Sequence, residues 1–272
     1  MPFKRFIIGA LMLLPLAACG SNAFDSLADK NSDAAKKEAA QMAIDSGDYA
    51  SAISILAASC PGNICPDQKT GQQLAAAYMG QAGLNVMDLA KIADQATSSS
   101  ATNADFTTIT KSLSYTSTSA TAIANAVATL QANPPASGAS TDQKNDYYMQ
   151  LGVASATSAI VQIGTATSGF DANGIPTSCN GNCTTTPPTI SASTATNVAT
   201  SLVSASTSLA NISTGSNNTA SQAVNDLVNN IAAIGTSGTT CNTYSNSTSA
   251  QSTATTTNVA NGVQNYVTTC VK

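Results

Sequence analysis

The chain has 272 residues, a net charge of −4 and no histidine, which removes every Ser-His or Cys-His nucleophilic mechanism and most metal centres. Its hydrophobic fraction is 43%, yet tryptophan is absent and aromatics make up only 4%, so any helices must pack closely through alanine and other small residues rather than around large side chains. The only arginine is Arg5, and the acidic balance leaves no electrostatic footprint for nucleic acid.

The first residues read as an export leader. Lys4 and Arg5 give a positive end, Phe6 to Leu16 an apolar run, and Ala17 and Ala18 the small residues that a signal peptidase needs. A membrane-spanning helix requires about 20 apolar residues. This run is shorter and Pro15 breaks it, so residues 1–18 are expected to be removed. The segment Leu16-Ala17-Ala18-Cys19 resembles the lipobox of bacterial lipoproteins. That resemblance implies cleavage before Cys19 and acyl chains on its sulfur and new amino group. More than one chain makes the anchor stable, because each buried methylene contributes about 0.8 kcal/mol. Cys19 is followed by Gly20 and not by an aspartate, which under the enterobacterial sorting scheme implies an outer-membrane lipoprotein, on its periplasmic or its surface face. The membrane, reached through this lipid anchor, is therefore the first expected partner, with residues 19–31 as the tether. An ordinary secretory signal that ends before a cysteine is the alternative.

Setting Cys19 aside leaves six of the seven cysteines, an even number in keeping with an exported, oxidising compartment. Cys60 and Cys65 bracket Pro61 to Ile64, Cys179 and Cys183 bracket Asn180 to Asn182, and Cys241 and Cys270 flank the final segment. Local pairing is the simplest connectivity, although spacing alone leaves others open. None of the pairs has the two-residue spacing of a zinc knuckle, so neither a metal nor a cofactor is expected.

After the tether, Asn31 or Ser32 can cap a helix that Asp33 favours electrostatically, running from Ala34 to about Ser46 with Ala35, Ala39, Met42 and Ala43 recurring along it. Ser46-Gly47-Asp48 punctuates it, and a second helix is expected from Tyr49 through Ala52, Ile53 and Leu56 to about Ser59. The run Ala39-Ala40, Ala43, Gly47-Asp48-Tyr49, Ala52-Ile53 and Leu56 resembles the tetratricopeptide repeat, which implies paired helices joined by a tight turn and packed through small residues. A second unit would begin about 34 residues on. Near Asp67, Leu74, Ala75, Ala77 and Tyr78 read as a helix, Gly80 to Gly83 as a turn, and Leu84 to Ala96 as a further helix; this unit departs from the repeat in its shifted turn and missing Ala-Ile pair.

Further along, Phe106 to Leu113 is a short expected helix, and Ala120 to Ala132 a longer one with Ile123, Val127 and Leu130 on one face, stopped by Pro134-Pro135. Thr141 or Asp142 opens another, in which Tyr147, Leu151, Ala154, Ser158 and Val161 share a face and Gly152 and Ala156 admit a close neighbour. Gly164 to Pro188 reads as a loop, long for a connector and tipped by Cys179 and Cys183. Helices are then expected over Ala195 to Ile212, over a segment opened by Thr219 and Gln222 as a capping box and carrying Val224, Leu227, Val228 and Ile231, and over Asn258 to Val267. Beyond Asp171 the only charged residues are Asp226 and Lys272. The recurring apolar positions argue for ordered helices with a neutral surface rather than for disorder.

The expected fold is all-α: stacked antiparallel helical hairpins, like tetratricopeptide repeats or an α-solenoid, with a disulfide-tipped loop. The expected regions are a helical domain over 32–163, the loop over 164–192, and a Ser/Thr/Asn-rich helical region over 193–272 packed on the same domain. No glycine-rich phosphate loop is present. Lys111 beside Ser112 carries no weight in a chain so rich in hydroxyls, and the carboxylate pairs Asp45/Asp48 and Asp142/Asp146 sit where helix ends and turns favour them. The expectation is a non-enzymatic envelope lipoprotein that binds a protein partner as a scaffold or accessory subunit. A solute-binding or accessory component of a transport system and a surface-exposed structural or adhesive lipoprotein are the alternatives.

Overall fold

The computed structural model describes residues 32–84, 113–170, 177–179 and 190–212. Among them are six α-helices and no strand: α1 (Asp33–Asp45), α2 (Tyr49–Ala57), α3 (Gln68–Gln81), α4 (Ser117–Ala132), α5 (Thr141–Ala166) and α6 (Ala192–Ala210). Two short 3-10 turns accompany them, Pro61–Asn63 and Thr177–Cys179.

Each helix begins at a residue whose side chain satisfies an amide that the first turn leaves unpaired. Ser32, Asp48, Asp67, Thr116, Ser140 and Ser191 accept from the backbone N–H of Ala35, Ser51, Thr70, Ser119, Gln143 and Thr194 respectively. At Ser140 the bond is reciprocated, because its own N–H donates to Gln143 Oε1 at 2.9 Å. That reciprocal arrangement is a capping box. It is written in the sequence as Ser140-Thr141-Asp142-Gln143, a signal that the periodicity of α5 overshadowed.

The helices pack in chain order, each on the next, and α1 also touches α3 while α3 touches α5. The main core joins Ala75 and Met79 of α3, Ile123, Ala126 and Leu130 of α4, and Tyr147, Leu151, Ala154 and Val161 of α5. Smaller clusters hold α1, α2 and the start of α3 together through Ala40, Ile44, Ala52, Leu56, Leu74 and Ala77. The expected faces of α4 and α5 are thus turned inward, with Ser158 and Val161 buried as well.

The contact between α5 and α6 is different in kind. Val198, Leu202 and Leu209 are buried, but the seam also carries hydroxyls: Ser155 bonds Ser204 at 3.1 Å and Ser201 donates to Ser158 at 3.2 Å. Gln162 Nε2 donates to both Ser158 and Ser201, at 2.9 and 3.1 Å. Every partner in this set is neutral, so the polar groups are satisfied without burying a charge. Gly152 admits Leu209, whose Cδ2 would stand 2.7 Å from any added Cβ.

Four boundaries differ from the sequence expectation, the first being the start of α4, which Thr116 caps at Ser117, three residues before the expected Ala120. Gly80 lies inside α3 rather than in a turn, because the Tyr49 ring occupies the space a Cβ would need there and the turn falls at Ala82 and Gly83 instead. The region expected to be loop from Gly164 begins later, since α5 runs through Gly164 to Ala166 with the Tyr115 ring against that glycine. The last described helix starts at Ala192, capped by Ser191, three residues before the Ala195 expected from its apolar pattern. The expected helices over Leu84 to Ala96 and Phe106 to Leu113 lie outside the described residues except for Leu84 and Leu113, both buried in the main core. Those opened by Thr219 and spanning Asn258 to Val267 lie outside entirely.

Candidate docking cleft and its disulfide loop

The link between α2 and α3 is short and cross-braced. Cys60 and Cys65 form a disulfide with their Cα atoms 4.2 Å apart. Between them the chain turns through Gly62 and Asn63, at φ of 62° and 67°, a left-handed conformation that glycine and asparagine tolerate best. Asn63 N–H donates to Cys60 O at 3.0 Å and Ile64 N–H to Pro61 O at 3.2 Å, so the loop supplies its own backbone partners.

Asn133, at the C-terminal end of α4, fixes this loop to the helical core. Its Oδ1 accepts from Cys65 N–H at 2.8 Å, and its Nδ2 donates to Asn63 O and to Thr129 O, each at 2.7 Å. The side chain is buried against Gly71, where an added Cβ would lie 2.8 Å from Asn133 Cβ. One amide thus ties the disulfide loop, α3 and α4 into a single unit. Sequence reasoning missed this residue; its one signal was its place directly before Pro134-Pro135, which marked a helix end and nothing more.

Beside the loop lies a cleft of about 230 Å³, lined by Asp33, Lys36 and Lys37 of α1, Ile55 and Leu56 of α2, Ser59 and Pro66 flanking the disulfide, and Thr70. Its lining mixes the apolar Ile55, Leu56 and Pro66 with polar groups and charges of both signs. Lys37 Nζ pairs with Asp67 Oδ2, joining α1 to the start of α3. Burial pushes the Asp67 carboxyl up, but the Lys37 ammonium together with the Thr70 amide and hydroxyl outweighs that and holds it below its ordinary value. Asp48, the cap of α2, is likewise held low by the Ser51 hydroxyl and amide. A second, more open hollow of about 280 Å³, lined by Gln81, Ser117, Thr118, Thr121, Ala122 and Asn125, offers hydroxyls and amides and no charge.

Among the large apolar residues described, Met42 on α1 and Ile64 at the crest of the disulfide loop stand out as exposed, at 67% and 65%. Of the expected cysteine pairs, Cys60 and Cys65 are joined as expected. Cys179 closes a 3-10 turn whose backbone is tied to the end of α5, with Thr177 N–H donating to Gly169 O at 2.9 Å and Ser178 N–H to Thr167 O at 3.1 Å. Cys19, Cys183, Cys241 and Cys270 lie outside the described residues. Among those residues no cluster of acidic and cysteine side chains is arranged to hold a metal ion, and no helix is long and apolar enough to cross a membrane.

Compared with models of known protein families, with curated proteins and with solved structures, the chain matches none.

Proposed function

We propose that the chain is a non-enzymatic scaffold of the bacterial envelope, anchored through lipid on Cys19, whose helices stack as hairpins and present one side to an extended segment of a partner protein. The observation that supports this reading is the contact between α1 and α3, the first helices of the two expected repeat units. In stacked hairpins the first helix of each pair meets the first helix of the next, which makes a continuous surface that repeat proteins use for binding. Here α1 and α3, the first helices of the two expected units, touch, and α3 also touches α5.

The bridges between these helices are made by side chains suited to recognising a peptide backbone. Gln73 Nε2 donates to Gln41 Oε1 at 3.0 Å, and Gln150 Nε2 donates to the Gln72 carbonyl at 2.9 Å. Gln41 is exposed and, beyond this bridge and its bond to Asp45, keeps a second amide hydrogen that can meet a peptide group. The Lys37–Asp67 pair continues the polar character toward the N-terminal end. The disulfide, the six side-chain caps and the exported address fit a protein that must hold a fixed shape outside the cytoplasm.

The test is in-cell photocrosslinking from both sides of the stack. A benzophenone side chain at Gln41 or Gln150 is expected to capture the same partner, whereas one at Thr121 of α4 or Thr196 of α6 captures none. Capture from the α4 or α6 positions alone would overturn the proposed face. Digestion by external protease only after the outer membrane is permeabilised is the expected periplasmic result; digestion on intact cells moves the scaffold to the surface.

A further inference from the structure

The seam between α5 and α6 fixes how both helices are turned. Ser155 meets Ser204, Ser158 meets Ser201 and Gly152 lies under Leu209, so numbers rise on α5 as they fall on α6 and the two helices run antiparallel. On α5, Val153, Ala156, Ile160 and Ile163 recur at the three- and four-residue spacing of a helix–helix seam. They lie about a third of a turn beyond the contact with α6. All four are half-buried, and Val153 and Ile160 reach the main core along one edge.

On α6, Ala195 and Ala199 likewise lie about a third of a turn beyond the contact with α5. Seen from the N-terminal end of α5, successive residues advance clockwise on α5 and anticlockwise on the antiparallel α6. The two stripes therefore fall on the same side of the pair and form the walls of one groove. Ala195 and Ala199 are 1% and 0% exposed, although α6 packs on α5 and makes no comparable contact with any other described helix. One neighbour covers one side of a helix, so the burial of this second side requires a second neighbour.

We propose that the neighbour is the chain's own segment 219–234, docked as a helix in the groove between α5 and α6. The end of α6 stands at the mouth of the groove, since Leu209 lies on Gly152, next to Val153. Residues 213–218 are enough to reverse the chain, so the segment returns alongside α5. Val224, Leu227, Val228 and Ile231 share one side of it. The interval from Val224 to Ile231 equals that from Val153 to Ile160, about 10 Å in a helix. Its one charge, Asp226, falls opposite those four, which suits a groove between two helices that carry no charge beyond Asp146. The stretch between α3 and α4 is the rival occupant, and its helical signal carries Asp88, Lys91 and Asp94. The docking concerns how the chain closes on itself, so it stands or falls apart from the scaffold reading.

The experiment uses the full chain purified in detergent. A benzophenone side chain at position 163 is expected to attach within 228–235 of the same chain, mapped by peptide mass spectrometry in a product that keeps the mass of one chain. The same probe at Thr200, exposed on the outer side of α6, gives no attachment there. Leu227→Asp combined with Ile231→Asp places two charges on the docked side and leaves the described helices untouched. It is expected to speed proteinase K cleavage within 213–235 by about tenfold or more, with most of the helical circular dichroism retained. Asn229→Asp, a charge on the far side of the segment, leaves the cleavage rate unchanged. Attachment of the position-163 probe within 84–113 overturns the proposal. So does an adduct of twice the chain mass, which would put a second copy in the groove, or an adduct in cells with another protein. Equal cleavage of the unmodified chain and the Leu227→Asp, Ile231→Asp variant overturns it as well.

Discussion

Asn133 shows how much one side chain can organise. It makes three hydrogen bonds at 2.7 to 2.8 Å, two to the disulfide loop and one to its own helix a turn back. Removing it leaves two carbonyls and an N–H without partners in a largely buried place, where each lost bond costs about 1–3 kcal/mol. Asn133→Ala is expected to destabilise by about 3 kcal/mol in urea unfolding. Thr129, one turn earlier, makes the opposite case. Its hydroxyl is fully buried and has no partner, so Thr129→Val, which keeps the shape and removes the unpaired oxygen, is expected to gain about 1 kcal/mol. Neither role was legible in the sequence. An asparagine at a helix end and a threonine within a helix are common, and only the approach of a distant loop or helix decides what their polar atoms meet.

Helix caps and turns were the legible features at the level of elements, because their chemistry is local. Ser32, Asp48 and Asp67 could be read as starts, and Gly47 as a turn, from residues a few positions away. Gly80 could not, because its reason lies on another helix. An alanine is ordinarily favoured over glycine inside a helix by about 1 kcal/mol. Gly80→Ala is expected to reverse that sign and lower the thermal midpoint, since the new methyl would fall within the Tyr49 ring. Tyr49→Ala in the same chain should recover part of the loss, and a double-mutant cycle measures the coupling.

The cap of α3 makes its own prediction in pH. The Asp67 carboxyl is held below its ordinary value in the folded chain. A depressed carboxyl contributes stability that is fully present above its unfolded pKa, about 3.9, and is lost as the pH falls through the lower folded value. Unfolding followed across the acid range should therefore show stability decreasing below about pH 4. Asp67→Asn retains an oxygen able to cap the helix but cannot titrate, so its acid slope should be shallower. An identical slope in both chains would mean that the Lys37–Asp67 pair contributes nothing to it.

For the molecule as a whole, composition gave the class of fold and periodicity gave most of the described helices. The absence of tryptophan and the abundance of alanine anticipated helices that approach through small residues, and Gly152 beneath Leu209 and Gly71 beneath Asn133 are where they do. The order of packing was harder to read, because an alanine-rich face fits many neighbours and the resemblance to tetratricopeptide repeats rested on one short run. The cleft beside the disulfide was invisible in sequence for a related reason: Asp33, Ile55, Pro66 and Thr70 share no motif and are gathered only when α1, α2 and α3 close on one another. The function proposed for this assembly depends most on where the chain is held, and that depends on Cys19. Intact mass spectrometry of the chain recovered from the membrane fraction tests the point most directly. The account predicts a mature protein that begins at Cys19 and carries the added mass of acyl chains on its first residue. A chain cleaved elsewhere, or one that begins at an unmodified Cys19, would contradict the anchor and with it the proposed place of the scaffold in the envelope.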